Sequence, residues 1–336
     1  MESILAVTFP FFALVLLGYA AAQRKLLPES AIPGLNTFVL FFALPCMLFR
    51  FGASMPFAKL IDPALMAIYG VCALAMVGLT MALTLRRRAG GRGVDLRDAA
   101  FGALVAAFPN TGFMGVPLLV ALLGERAAGP AIGTILIDLI VTSSLCIAIA
   151  QAQSDVGVQT DDGMTRTQDT LTGLLRSLRG AMTNPLPWAI ALGALFAASG
   201  ARLPGPLDQV IKMLGDAASP VALFTIGAVL WRAGQHSHTR TAAGDYLPVV
   251  AVKLLLHPAL VLATGLALRA AGVDVPAAGL MVIVLVAALP SASNVSLLAE
   301  RYGADNGRVA RIIMASTVLS FATFTLVAWA FGARGG

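Results

Sequence analysis

Ten stretches of predominantly apolar residues leave this chain little choice of environment. They lie at about 3–22, 31–50, 62–85, 98–123, 128–151, 183–199, 206–231, 247–268, 276–299 and 312–332. A helix needs about 20 such residues to cross the hydrocarbon core of a bilayer, and most connections between the stretches are short. Charged residues make up 12% of the chain, against about 25% in a soluble domain. Soluble enzymes, disordered regulators and disulfide scaffolds are thereby excluded. The 33 Gly and 18 Pro fall largely within or beside apolar runs, which suits packed or broken membrane helices. The fold class expected is an all-α membrane protein of ten transmembrane helices.

The net charge of +6 does not point to nucleic acid, because the basic residues sit mainly in the connections. There they set orientation: cytoplasmic loops carry the excess of Lys and Arg. Alternating connections hold fifteen Lys and Arg on one side and six on the other, leaving aside Lys212 and Lys253 inside spans. The richer side is assigned to the cytoplasm, which puts both termini outside it in a multi-pass protein of the cell (inner) membrane. The first run opens Met1-Glu2-Ser3 with no basic residue, and Arg24-Lys25 follow it, so a retained span is expected rather than a signal peptide. Cys46, Cys72 and Cys146 lie in apolar runs without CxxC spacing, so neither disulfides nor a zinc site is expected. The longest connection is polar until Leu171, Leu174, Leu175 and Leu178 align on one helical face with Arg176 and Arg179 beside them. This reads as a short interfacial helix on the cytoplasmic leaflet.

Five runs precede that linker and five follow, giving a first repeat at 1–152, a linker at 153–182 and a second repeat at 183–336. With five spans each, the second repeat enters the membrane from the opposite side, so similarity between halves means an inverted repeat. Ala43-Leu44-Pro45-Cys46-Met47-Leu48-Phe49-Arg50-Phe51-Gly52-Ala53 matches Ala218-Ser219-Pro220-Val221-Ala222-Leu223-Phe224-Thr225-Ile226-Gly227-Ala228 at its Ala, Pro, Leu, Phe, Gly and Ala positions without a gap. In the fourth and ninth runs a central proline, Pro109 or Pro290, is followed at once by small or polar residues. Proline removes a backbone donor and clashes with the preceding turn. Unwound backbone at membrane depth persists only where protein or a watery cavity satisfies it. Matched breaks in corresponding spans of an inverted repeat point to a transporter's central site.

On these residues the chain resembles the auxin efflux carrier family, in particular its bacterial, malonate-transporter-like branch. The carrying motifs are Pro109-Asn110-Thr111-Gly112-Phe113-Met114-Gly115-Val116-Pro117-Leu118, Asn184-Pro185 and Ala288-Leu289-Pro290-Ser291-Ala292-Ser293-Asn294. The resemblance implies a ten-helix carrier of the fold shared with sodium/proton antiporters and bile-acid symporters. It further implies that spans four and nine cross at their unwound middles, that the substrates are organic anions, and that spans 3–5 and 8–10 move against spans 1, 2, 6 and 7, in a homodimer. Plant members carry Asn-Pro-Asn at both crossovers. Phe108 and Leu289-Pro290-Ser291 depart from that pattern, which favours small carboxylates over auxin-type substrates.

A carboxylate in a membrane needs hydrogen-bond donors and positive potential, and half-helix N-termini offer both. The residues expected to bind substrate are Asn110, Thr111, Gly112, Ser291, Ser293 and Asn294, with Pro109 and Pro290 shaping the crossover. For the hydroxyl residues ordinary helix packing is the competing role. Ionisable residues within spans are functional candidates: Asp138, in Ile135-Leu136-Ile137-Asp138-Leu139-Ile140, and Lys253, four residues before His257. Asp138 is either a proton-coupling carboxylate or a fixed partner for Lys253 or for half-helix amides. Lys253 is either an attractor for the anion or a compensating charge at the C-terminal ends of the half-helices. Lys212 and Asp216, at i, i+4 spacing, read as a structural pair, and Arg50 as interfacial. His236 and His238 lack nearby Cys or carboxylate ligands, so a solvated loop is expected, and Asp161-Asp162 also reads as loop. Neither HExxH nor a phosphate-binding Gly-Lys-Ser/Thr occurs, which removes metalloprotease and ATP-driven pump readings. No metal or other cofactor is expected. The primary reading is a secondary carrier for small organic anions. An anion channel, a membrane-embedded sensor or a membrane enzyme are the competing classes.

Overall fold

Proline and glycine placement within apolar helices sets this architecture. A computed structural model describes residues 2–54, 61–88, 94–152, 184–235 and 241–333. The linker at 153–182, its expected interfacial helix, Asp161-Asp162 and the His236/His238 pair lie outside the described residues. In chain order the helices are α1 (Glu2–Gln23), α2 (Ala31–Ser54), α3 (Pro63–Arg88), α4 (Leu96–Ala107), α5 (Thr111–Leu123), α6 (Glu125–Ala152), α7 (Pro185–Ser199), α8 (Gly205–Gln235), α9 (Ala243–Ala270), α10 (Ala277–Ala287), α11 (Asn294–Arg301) and α12 (Asn306–Ala330). Among the described residues there is no strand. Within those residues seven helices are long and apolar enough to cross a membrane, and α5, α7 and α10 are shorter apolar helices. The protein is thus an all-helical, multi-pass membrane protein. Outward faces carry large apolar side chains, among them Leu16, Phe41, Leu195, Val318 and Trp329, as a hydrocarbon solvent requires.

Among the described residues, four helices contain one π-helical turn each: Val39–Ala43 in α2, Thr111–Gly115 in α5, Asp138–Thr142 in α6 and Val252–Leu256 in α9. The sequence accounts for three of them. Pro45, Pro117 and Pro258 each follow two residues after such a turn. A proline ring collides with the carbonyl four residues back. Here that carbonyl belongs to Phe41, Phe113 or Leu254, inside the widened turn. The fourth has a polar cause: the Asp138 carbonyl accepts from both the Ser143 amide and, at 2.7 Å, the Ser143 hydroxyl. Asn184-Pro185 opens α7 as a cap, with Asn184 Oδ1 accepting from the Leu186 amide at 3.0 Å and proline in the first turn, where no donor is missed.

The helices pack in two groups. In one, α1 lies along α8, α7 along α2, and α2 against α8. These crossings are close because glycines form them. A Cβ on Gly18 would run into the Phe224 carbonyl, and one on Gly227 into the Val15 carbonyl. Gly193 meets Phe49 O, and Gly52 meets Ile190 O, in the same way. The second group joins α3 through α6 to α9 through α12, with α3 on α4 and α9 on α10. Within it, Ala99 through Ala107 of α4 and Leu280 with Val282 through Ala287 of α10 are buried without interruption, so both helices are enclosed on all sides. Arg308 of α12 ties one end of this group together. Its buried guanidinium donates to Asp98 O at 3.2 Å, Asp245 O at 3.1 Å and Thr84 Oγ1 at 3.4 Å. Between the groups, α12 touches α1 and α8, and α5 touches α1.

One sequence expectation needs correction. Asp216 does not pair with Lys212 along α8; Arg50 of α2 takes it, Nη1 to Oδ1, at 2.7 Å. Gly215 of α8 lies against the Met47 backbone of α2, with 3.2 Å to where a Cβ would sit, and this close approach brings Arg50 within reach of Asp216.

Candidate functional site

The two proline breaks meet. Pro109 and Ser291 form a single antiparallel pairing: the Asn110 amide donates to Pro290 O at 2.8 Å, and the Ala292 amide donates to Phe108 O at 3.0 Å. Each break therefore supplies partners for backbone groups that the other leaves without a helix, which is what unwound chain at membrane depth requires. Phe108 is extended, with φ −98 and ψ 100, as a residue before proline prefers. Asn110, at φ −78 and ψ 55, is the centre of a tight turn closed by the Thr111 amide on Pro109 O at 2.8 Å, an inverse γ-turn. The chain then winds into α5, and Asn110 O accepts from the Met114 and Gly115 amides. Gly115 leaves room for the Leu289 side chain, which comes from the opposite break.

Around this pairing lie polar side chains with little solvent. Asn110 is 4% exposed, Thr111 0%, Ser291 1% and Ser293 7%. Thr111 Oγ1, Ser291 Oγ and Asn294 Oδ1 are buried without a hydrogen-bond partner. Buried polar atoms are normally paired, so three unpartnered ones on the two joined breaks suit a polar ligand. Gly112 faces Leu44 of α2 at 3.6 Å from where its Cβ would lie, so the crossing borders the other helix group. The α5 and α11 N-termini start at Thr111 and Asn294, bringing positive helix ends to the site. Ser316 of α12, whose hydroxyl accepts from the Ser291 amide at 3.2 Å, fixes the second break. The sequence hints at it only through the small polar residues Ser316, Thr317 and Ser320 in an apolar run.

Asp138 and Lys253 do not sit within that pairing. Both are fully buried, in a network beside it. Tyr69 donates its hydroxyl to Asp138 Oδ2 at 2.8 Å, and Thr142 donates to Oδ1 at 3.3 Å. Lys253 Nζ donates to Ala287 O at 3.0 Å and lies 3.2 Å from His257 Nδ1. Tyr69 and His257 complete the chain with ring centroids 5.8 Å apart. The two opposite charges form no ion pair within 4 Å; each is met by other groups. Ala287 is the last residue of α10, so the ammonium rests on the negative end of a helix that stops at the break. Tyr69 and Thr142 carried no sequence signal beyond being polar in apolar runs, whereas the i, i+4 spacing of Lys253 and His257 already put them on one helical face.

Two proline breaks joined by hydrogen bonds within an all-helical membrane protein suit a membrane transport protein. Residues 3–329 match the family model described as "Membrane transport protein", and the chain belongs to that family, which includes the auxin efflux carriers. It is similar over 97% of its length to a protein of Rhizobium meliloti (strain 1021) named "Putative malonate transporter", at 29% identity and 95% coverage of that chain. Auxin efflux carrier component 8 of Arabidopsis thaliana is 26% identical, over 89% of each chain. Uncharacterized transporter YfdV of Escherichia coli (strain K12) is 25% identical, over 97% of this chain and 96% of its own.

Proposed function

We propose that this protein is a secondary carrier of small organic anions, malonate or a related carboxylate, working by alternating access in the inner membrane. The observation that carries the reading is the hydrogen-bonded crossing of Phe108–Asn110 with Pro290–Ala292, beside unpartnered buried atoms of Thr111, Ser291 and Asn294. Asn110, Thr111, Gly112, Ser291, Ser293 and Asn294 line the anion's place; Pro109 and Pro290 keep the chain open there. The name of the Rhizobium relative agrees with a dicarboxylate substrate.

Ten spans in an inverted five-plus-five repeat are part of the same reading, and the glycine crossings support it. Gly18 and Gly193 are separated along the chain by the same distance as Gly52 and Gly227. The α1–α8 crossing uses Gly18 with Gly227, and the α7–α2 crossing uses Gly193 with Gly52. The two contacts are thus equivalents under exchange of the halves. The packing of α1, α2, α7 and α8 as one group supports a scaffold against which the remainder slides; a homodimer is part of the same proposal. Asp138 and Lys253 act as fixed compensating charges: Lys253 offsets the α10 C-terminus and Asp138 is held by two hydroxyls.

Purified protein in proteoliposomes, supplied with radiolabelled dicarboxylates with and without a pH gradient, tests the proposal. Saturable malonate uptake that Asn110→Ala abolishes is the expected outcome. Flux that does not saturate would favour a channel, and wild-type binding by a folded Asn110→Ala protein would overturn the site.

A further inference from the structure

A cavity of about 500 Å³ lies between the two helix groups, walled by α2 and α8 on one side and α11 and α12 on the other. At its rim Arg232, near the end of α8, stands between two carboxylates. Nε is 4.0 Å from Glu29 Oε1, ahead of α2, and Nη2 is 3.9 Å from Glu300 Oε2, at the end of α11. Glu29 and Arg232 belong to one helix group and Glu300 to the other. The arrangement therefore bridges the interface that alternating access would have to open. All three side chains are partly exposed, at 44%, 28% and 60%, and ion pairs in that setting are individually weak.

We infer that Glu29, Arg232 and Glu300 form an ionic latch across the two groups, and that Arg232 is the first protein group to bind an incoming dicarboxylate. This rests on the anion-carrier reading for the identity of the ligand. A guanidinium offers a planar fork of donors that a carboxylate can take two at a time. At 3.9 and 4.0 Å neither glutamate holds it in that tight geometry. A free dicarboxylate in the cavity competes for the same donors, and winning them cuts the tether to α11. The cavity has the size of a small-molecule site and further hydrogen-bonding walls: Asn36 and Thr37 of α2, Ser296 of α11, and Asn306 of α12, whose Oδ1 accepts from Ser296 Oγ at 2.6 Å. The short helix α11 starts at Asn294, beside the crossing, and reaches the latch at Glu300. Release at the rim is thereby connected, through one eight-residue helix, to the break at Ser291.

The test uses full-length protein in nanodiscs, with Cys46, Cys72 and Cys146 replaced and Ser296→Cys as a reporter on the cavity wall. Modification by a hydrophilic maleimide is timed with Arg232, with Glu29→Gln/Glu300→Gln and with Arg232→Gln, after each variant is shown to melt as a folded protein. Without ligand, both latch variants should label about threefold faster, since only the Arg232–Glu300 pair spans the two groups and losing one weak pair shifts a two-state equilibrium by a few-fold. Equal rates in all three would overturn the latch. Malonate should accelerate labelling of the latched protein and leave Glu29→Gln/Glu300→Gln unchanged. It should also raise the melting temperature of the glutamine pair at lower concentration than that of the latched protein, and that of Arg232→Gln only at higher concentration. Equal malonate response in Arg232→Gln and the latched protein would remove Arg232 from the binding path. If malonate shifts the melting of no variant while the ligand-free rates still separate, the anion reading fails and the latch stands. If malonate stabilises the latched protein while the ligand-free rates coincide, the latch fails and the anion reading stands.

Discussion

Single side chains decide how this membrane interior tolerates charge. Lys253 and Asp138 look like an ion pair when read along the sequence, but the lysine donates to a helix-terminal carbonyl and the aspartate accepts from Tyr69 and Thr142. Replacing each should therefore have different consequences. Asp138→Asn keeps an oxygen for Tyr69 and should fold, with a modest loss of stability. Lys253→Met strips the donor from Ala287 O and leaves the α10 terminus uncompensated, which should cost about 1–3 kcal/mol. Thermal unfolding of the purified variants in detergent checks the order; an Asp138→Asn protein that melts well below Lys253→Met would reverse it. If Asp138→Asn transport also ceases to follow an imposed pH gradient, the aspartate couples protons and is not a fixed charge. Both charges stand on π-helical turns, a feature common at functional sites.

At the scale of helices, close approach and kinks carry the architecture. Gly18 and Gly227 let backbone touch backbone between α1 and α8, and a methyl group at either position has nowhere to go. Gly18→Ala should destabilise the protein by about 1–3 kcal/mol or more, whereas Gly78→Ala on α3, with open space around it, should be neutral or slightly stabilising. Comparing the two by temperature-ramped size-exclusion chromatography isolates the crossing from general helix effects. The buried Arg308 gives a second check on elements. Its hydrogen bonds reach α3, α4 and the first turn of α9, so Arg308→Gln should loosen that end of the second group and lower the melting temperature. The breaks themselves were readable, because proline followed by small polar residues has few other uses in mid-span. Which atoms they would offer each other was not: the pairing of Pro109 with Ser291 joins segments far apart in sequence.

For the whole molecule, orientation is the property that the charge distribution addresses most directly. With fifteen Lys and Arg against six on alternating connections, Lys25→Cys in a cysteine-free background should react only from the cytoplasm, and Ala201→Cys only from outside. An impermeant maleimide applied to intact cells and to inverted vesicles gives the answer, and reversed labelling would invert the protein and place the Arg232 cavity on the other face. The same cavity lies between the two helix groups, which is why a movement of one group past the other would open or close it.

Composition and order along the chain determined the environment, the helical class and the positions of the breaks. These follow from solvent and backbone chemistry, which act locally: hydrocarbon demands apolar residues in runs of helix length, and proline interrupts them wherever it occurs. Tertiary structure alone decided who meets whom. Arg50 rather than Lys212 takes Asp216, Ala287 O rather than Asp138 takes the Lys253 ammonium, and Arg232 reaches two glutamates from separate helices. The physical reason is that helices apolar on nearly every face carry no strong periodic signal of rotation or depth. Their relative placement is set by glycine contacts and side-chain packing between distant segments, and partner choice for each polar atom follows from that placement.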